Sequence, residues 1–417
     1  MNRIHQFWRA SAKVFDLPLR LRAILDQRRW PLIPTPCLSV SLFLGALLRL
    51  PSLLQLQQET ARPGWQRLIR YPHTISDDAF AYALEQARPQ DWRAVLVAVN
   101  QTLKRNKVLE SAKIAGLLVV AIDGNEQFKS RARCCADCCQ RHVTETDAAG
   151  QTVEVVEYYH RFVCAQIHGP EFSVILDVEP LRPGEDEAAA ALRLLGRLRR
   201  LYGPRFFDAV TVDAWYATGP FIKAVQRLGW GVISVLKQQR YDIYQEATAL
   251  LAGQTPRSLQ QQGRQIELRE VKDLTFTDPA IGSVRVVAAQ ERWRERRRVG
   301  GKWVAEDRRS SWRWLVDRTL DGYSAEVIWR IGHQRWGVEN HAFNELTQYY
   351  HLEHCGHHEP VAIVTWLLIL VLAFVVFEWF ARLHGKLVRM RVTLQEIGRQ
   401  LDLSLARWEE LEPLWSG

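Results

Sequence analysis

The chain has 417 residues, 47% of them hydrophobic and 24% charged. That length suits two or three domains with real cores and excludes an intrinsically disordered chain. The net charge of +9 calls for a polyanionic partner, either nucleic acid or an anionic membrane surface. Arg far outnumbers Lys in the basic stretches, and its bidentate fork favours the phosphates of nucleic acid. Four of the seven cysteines crowd into Cys134, Cys135, Cys138 and Cys139, unlike the spread of a disulfide scaffold. Charges are scattered through residues 1 to 29, with no apolar leader core, so a cytoplasmic protein is expected.

Residues 1 to 112 read as helical, with the apolar run Leu42–Leu56 broken at Pro51. Ser76 caps a helix that opens on Asp77 and Asp78, and another helix spans Asp91–Asn106. No catalytic constellation shows here, and a DNA-binding or dimerising role stands beside a purely structural one. From Ile114 the pattern changes. An apolar strand runs from Ile114 to Ile122 and ends at Asp123, and Val153–Ala165 and Phe172–Val178 are β-rich. After Pro183-Gly184 comes an amphipathic helix, Glu185–Leu201, acidic at its start and basic at its end as the helix dipole prefers. A strand at Phe206–Val212 ends in Asp213; a helix over Thr218–Leu228 and a strand over Val232–Leu236 follow. Short links suit antiparallel pairing among the first three strands, and helical links suit parallel pairing of the later ones. The predicted fold is α/β: a mixed sheet with flanking helices, in the element order of a ribonuclease H-like core.

Residues 238 to 322 interrupt that core (113 to 237 and 323 to 380) with a β-rich insertion, in which Gly300-Gly301 is a hairpin signal. Ser283–Arg318 holds eleven Lys/Arg against five Asp/Glu, interleaved with Trp293, Trp303, Trp312 and Trp314. Arg296, Arg297, Arg298 and Lys302 suit phosphate contact, and the indoles suit base stacking; a ribbon whose indoles pack a core is the plainer alternative. Helix returns at Ser324 and runs through Tyr350. Val361–Phe377 has no charged residue but falls short of the roughly 20 apolar residues of a membrane span. A helix buried in a large core is expected, with no membrane partner. Thr393–Trp408, in the C-terminal helical region 381 to 417, has a faint helix-turn-helix pattern, against which a plain helical hairpin is the expectation.

Cutting a phosphodiester needs a nucleophile, a stabilised five-coordinate phosphorus and a stabilised leaving oxygen, which two divalent metals about 3.5–4 Å apart supply. Hard cations such as Mg²⁺ take carboxylate oxygens, so acids must converge on one point. Asp123 and Asp213 each follow an apolar strand. One such Asp caps a turn as readily as it binds metal; two on neighbouring strands say more. Arg335 and Glu339 stand four apart on one helix face, a spacing an ordinary surface ion pair also shows.

Three blocks carry a family resemblance: Ala121-Ile122-Asp123-Gly124-Asn125-Glu126, Thr211-Val212-Asp213-Ala214-Trp215-Tyr216 and Arg335-Trp336-Gly337-Val338-Glu339-Asn340, with Phe343-Asn344-Glu345-Leu346 trailing. Over about residues 70 to 360 the sequence resembles DDE-type transposases of bacterial insertion sequences, in the branch with a Tyr-Arg-Glu-Lys signature. The resemblance implies that Asp123, Asp213 and Glu339 bind two Mg²⁺, with Mn²⁺ as a substitute, and that Arg335 holds a phosphate. It implies hydrolysis at each element end and direct attack of the freed 3′-hydroxyl on target DNA. The implied partners are double-stranded DNA, as element ends and as target, and a second copy in a homodimer on paired ends, at the nucleoid. The signature's Tyr would fall at Gly332 and its Lys at Leu346. Both are missing, so DNA contact there must come from elsewhere; His333, Asn340 and Lys302 are candidates. A DNA-binding relative that no longer cuts, and a metal-dependent endonuclease without strand transfer, are the alternatives.

Cys135 and Cys138 have zinc-like spacing, with Cys134, Cys139 and His142 nearby and His160 and Cys164 across the next turn. The second ligand pair is not evident in the sequence, and reduced structural thiols are expected rather than structural zinc. His354, Cys355, His357 and His358 are expected to lie in a polar loop. Glu126 reads either as a helper at the metal site or as a surface acid.

Overall fold

The computed structural model describes residues 3–146, 150–169, 173–261, 263–276, 278, 281–299, 302–335, 342–383 and 399. Seven helices come first: α1 (Arg3–Phe15), α2 (Leu17–Arg22), α3 (Thr35–Leu47), α4 (Leu53–Thr60), α5 (Pro63–Ile69), α6 (Asp77–Glu85) and α7 (Pro89–Arg105). Pro51 falls between α3 and α4, as its missing N–H requires. Ser76 caps α6 by accepting from Ala79 N at 3.2 Å. Four strands follow: β1 (Val119–Ser130), β2 (Cys139–Thr146), β3 (Thr152–His168) and β4 (Ser173–Pro180). Then come α8 (Glu187–Tyr202), β5 (Ala209–Val212), α9 (Gly219–Arg227), β6 (Gly231–Val235) and α10 (Asp242–Ala252). Strands β7 (Arg257–Gln261), β8 (Arg264–Thr275), β9 (Ser283–Val299) and β10 (Lys302–Asp317) precede α11 (Ala325–Gln334), α12 (Asn344–Tyr349) and α13 (Pro360–Leu383).

The chain packs into two compact units, each built from separated stretches. One comprises residues 1–111, 124–190 and 339–417; the other comprises 112–123 and 191–338. Strand β1 passes through both. In the first unit β3 lies between β1 and β2, with β4 antiparallel to it. In the second, β1, β5 and β6 run parallel, and β10, β9, β8 and β7 extend the sheet as antiparallel neighbours. Helical links gave the parallel pairs and short links the antiparallel ones, as connection length demands. The result is a mixed sheet with flanking helices and the pairing order of a ribonuclease H-like core.

Three elements differ from the sequence expectation. The first strand begins later and continues past Asp123 to Ser130, because Ile114 and Leu117 bridge across a tight turn with Ala115 and Gly116 at φ 51° and 86°. Asp123 is thus within a strand rather than at its end. The β-rich stretch opens with a helix, α10, whose buried Ile243, Ala247 and Leu251 recur every four residues on one face. A further strand, β2, follows the Cys134–Cys139 turn.

The apolar stretch near the C-terminus forms α13. Its segment Pro360–Ala381 is long and apolar enough to cross a membrane, yet 78% of that window is buried inside the protein. It packs against α3, α6, α7 and β4, with Phe380 edge-on to Phe7 and Trp379 to Phe15. Each fully buried large apolar side chain contributes about 1.5–3 kcal/mol, so this helix is the main core element of its unit. Beside it Arg93 donates to both oxygens of the buried Asp177 at 2.9 and 3.1 Å. The helix-turn-helix pattern of Thr393–Trp408 falls, apart from residue 399, outside the described residues.

Candidate active site and nucleic-acid ribbon

The first four residues of β1 and all four of β5 are buried, as parallel central strands require. Their parallel register pairs Val119 with Ala209 and Ala121 with Thr211. Asp123 lies two residues past Ala121 within β1, and Asp213 directly follows the last residue of β5. Side chains alternate with period two, so a register continued past the end of β5 would turn both carboxylates to one face of the sheet, on chains about 4.8 Å apart.

Asp213 occupies the cap position of a short 3-10 turn, yet its side chain makes no capping hydrogen bond. The ordinary structural role for such an aspartate is therefore not filled. Its Oδ1 has no hydrogen-bond partner, and Lys237 Nζ lies 3.5 Å away. The backbone around it is fixed: Ser234 Oγ donates to Asp213 O at 3.0 Å and Gln238 Nε2 to Ala214 O at 3.1 Å. Trp215, two residues on, is 66% exposed.

Asp123 meets Arg335. The guanidinium is 3% exposed, and its Nη1 donates to Asp123 Oδ2 at 2.8 Å. Arg335 caps the C-terminus of α11, which is itself held against the sheet. Glu291, fully buried on β9, accepts from Trp329 Nε1 at 2.8 Å and Arg264 Nη1 at 2.7 Å, and lies 2.5 Å from His333 Nε2. Burial pushes this carboxyl up, but the His333, Trp329 and Arg264 contacts outweigh it and hold the pKa at about 2. The rings of Trp312, Trp314 and Trp329 surround His333 at 5.3–5.6 Å. This clamp places Arg335. A lone Glu in an Arg-rich strand looks like a surface charge, so the sequence offered no sign of Glu291.

The same packing explains one departure from the signature. A Cβ at Gly332 would stand 2.2 Å from Trp314 Nε1, so no side chain, Tyr included, fits there in this packing. At the other position Leu346 is fully buried and serves the core. Of the candidate replacements, His333 is engaged by Glu291, whereas Asn340 lies outside the described residues. Glu339 also lies outside the described residues, with Trp336, Gly337 and Val338.

An acid the sequence reading passed over stands close by. A Cβ at Gly124, the residue after Asp123, would meet the Glu187 carboxylate at 2.4–2.6 Å. Glu187 opens α8, is 12% exposed and pairs with Arg161 at 2.5 Å. Glu126, in contrast, is bound by both terminal nitrogens of Arg141 at 2.8 and 3.0 Å, which also engages Glu157. It belongs to a surface ion cluster.

β9 and β10 form a long antiparallel hairpin, Val299 pairing with Lys302 across Gly300-Gly301. The register opposes Arg292 to Arg309, Arg294 to Asp307, Arg296 to Ala305 and Arg298 to Trp303. Opposed residues share a face, so five arginines, one acid and the 69% exposed Trp303 lie together. Those arginines are exposed, and Arg292 facing Arg309 is a like-charge pair that disfavours the bare ribbon. The other face neutralises itself: Arg308 pairs with Glu295 and Glu306, and Arg264 lies 4.1 Å over Trp293. Trp312 and Trp314 stack together in the interior, so of the four indoles Trp303 alone is exposed. The side chains of Arg297 and Lys302 lie outside the described residues.

The sequence matches the family model of the transposase DDE domain over residues 168–376. That span contains Asp213 and Glu339; Asp123 precedes it. No curated protein matches the sequence. Among solved structures, the chain is similar to a cryo-EM structure of the piggyBac transposase synaptic complex with hairpin DNA, at 11% identity and a TM-score of 0.41, over 95% of this chain and 77% of that one.

Proposed function

The chain belongs to the DDE transposase family, and from that premise we propose that it cleaves the ends of a bacterial insertion sequence and joins them to target DNA. The observation that supports this reading is the parallel register of β1 and β5, paired as far as Ala121 and Thr211, beyond which Asp123 and Asp213 come next but one along adjacent chains. Their fit to a hard divalent cation rests on Asp213 Oδ1, which no hydrogen bond satisfies, and on the cations that each carboxylate has drawn. Asp123, Asp213 and Glu339 would hold Mg²⁺, or Mn²⁺ in its place. Bound there, the metal would supply Lewis-acid stabilisation of the phosphoryl and leaving oxygens.

The chain's own residues do the rest. Arg335, fixed by the Glu291–His333 clamp, keeps Asp123 aimed and offers a guanidinium to a phosphate beside it. The Arg292–Arg298 face binds the DNA backbone, and Trp303 and Trp215 offer rings for base stacking. In the first step a water oxygen bonds to the scissile phosphorus, and the bond to the 3′ oxygen breaks, leaving a 3′-hydroxyl and a 5′-phosphate. In the second, that 3′-hydroxyl loses its proton and attacks a target phosphodiester, displacing a target 3′ oxygen. One phosphodiester is exchanged for another, so strand transfer needs no external energy source. Joining two ends calls for two copies on paired ends. The Tyr-Arg-Glu-Lys branch is the assignment we favour, with Gly332 and Leu346 as its departures.

Excision from a plasmid carrying the native flanking DNA, with Mg²⁺ supplied, tests this. Wild type should excise, while Asp213→Ala and Glu339→Ala should not. A wild type that binds the flanks without cutting them would overturn the proposal in favour of a non-cutting relative. Cleavage without joined product would leave an endonuclease.

A further inference from the structure

The turn after β1 carries Cys135 and Cys138, closed by a hydrogen bond from Cys138 N to Cys135 O at 3.2 Å. Cys135 N donates to Cys138 Sγ at 3.2 Å. The β2–β3 register pairs Cys139 with Tyr159, and one step back it sets Cys138 against His160. From the loop before α13, His358 closes the group. Cys135 Sγ and Cys138 Sγ lie 3.7 Å apart, and His160 Nε2 is 3.2 and 3.3 Å from them. His358 Nε2 is 3.3 Å from Cys138 Sγ. All four donor atoms fall within 4.8 Å of one another.

A tetrahedral zinc with bonds of about 2.3 Å to sulfur and about 2.0–2.1 Å to nitrogen has edges of about 3.8 Å for S–S and about 3.6 Å for S–N. The S–S spacing matches, and the His160–Cys135, His160–Cys138 and His358–Cys138 spacings are a few tenths shorter. Phe128 stacks on His160 at 5.1 Å and meets His358 edge-on at 5.2 Å, so one ring orients both imidazoles. The neighbouring candidates are placed elsewhere: Cys134 is exposed, His142 faces Glu154 at 3.1 Å, and His357 faces Glu85 at 3.6 Å.

We propose that Cys135, Cys138, His160 and His358 form a structural zinc site that ties the β1–β2 turn and β3 to the loop leading into α13. Two sulfur and two nitrogen donors suit zinc, not the hard cation of the carboxylates. Four protein ligands leave no open position, so the site holds structure and does no chemistry. Its residues all lie in one compact unit, and it stands or falls independently of the transposase reading.

The test is the metal content of the full chain after purification with zinc and dialysis against a mild chelator. One zinc per chain is expected in wild type, in Cys134→Ser and in Asp213→Ala; Cys138→Ser and His358→Ala should hold little. Because those last two variants can misfold, the wild type alone gives a second readout. Cobalt exchanged into it should show the thiolate charge-transfer and strong visible bands of a tetrahedral S₂N₂ centre. Absence of zinc from wild type together with only weak, six-coordinate cobalt absorption would overturn the proposal. So would full zinc retention by soluble Cys138→Ser.

Discussion

Asp123 and Asp213 offer oxygen donors on the central strand β1 and just past the end of its neighbour β5, where the Asp213 side chain is 39% exposed, whereas Cys135, Cys138, His160 and His358 aim sulfur and nitrogen at one another. Both clusters begin on or just after β1. They differ in donor softness and in saturation. Carboxylates that face a cleft leave positions for substrate oxygens; a filled tetrahedron leaves none. On the proposed readings, one strand would support a site for chemistry and a site for architecture, distinguished by donor chemistry.

Substitutions should separate the two clusters, and the largest effect is on the chemistry. Asp213→Ala removes several kcal/mol of Lewis-acid stabilisation, so cleavage should fall by on the order of 10³-fold or more. Melting temperature and zinc content should stay unchanged. Loss of zinc in this variant would break the distinction. The converse variant, Cys138→Ser, should lower the melting temperature and zinc content together, with cleavage lost only in proportion to unfolded protein.

Next in size is the clamp behind Arg335. Glu291 has its carboxyl held at about 2 in the folded protein against 4.5 for an ordinary Glu. A depressed carboxylate stabilises the fold above the unfolded value and loses that contribution as pH falls through the folded one. Stability on the order of 2–3 kcal/mol should therefore fade between about pH 4.5 and about pH 2. Glu291→Gln should flatten that part of a denaturant-midpoint profile. Gly332→Ala drives a methyl into the Trp314 indole and should cost about 1–3 kcal/mol, read by chemical denaturation. A neutral result there would remove the steric account of the missing Tyr.

Smallest is the ribbon. Arg296→Ala or Arg298→Ala should weaken DNA binding evenly across sequences and reduce the salt slope of log K by about 1. Glu306→Ala, on the self-neutralised face, should leave the slope unchanged or raise it. Equal effects from both faces would refute the one-sided ribbon.

Much of this was legible in the chain itself. The apolar runs before Asp123 and Asp213, the helical links between later strands and the Arg–Trp interleaving all depend on local periodicity, which sequence carries directly. The charge-free run that became α13 was legible as well, expected as a buried core helix, and 78% of its most apolar window is buried. The extension of β1 past Asp123 was not legible, because pairing rather than propensity decides where a central strand stops. Nor was the role of Glu291, since a charge buried by partners distant in sequence looks the same in the sequence as one in water.

By itself, then, the sequence determined most of the order of elements, the apolar strands ahead of the two aspartates and the basic ribbon, for these follow from spacings of a few residues. Tertiary structure alone decided what those groups face. It paired β1 with β5 in parallel as far as Ala121 and Thr211, seated Trp314 against Gly332, and brought His358 to Cys138 across 220 residues of chain. The physical reason is the same in each case: a side chain's charge and donor role depend on the neighbours that long-range pairing supplies.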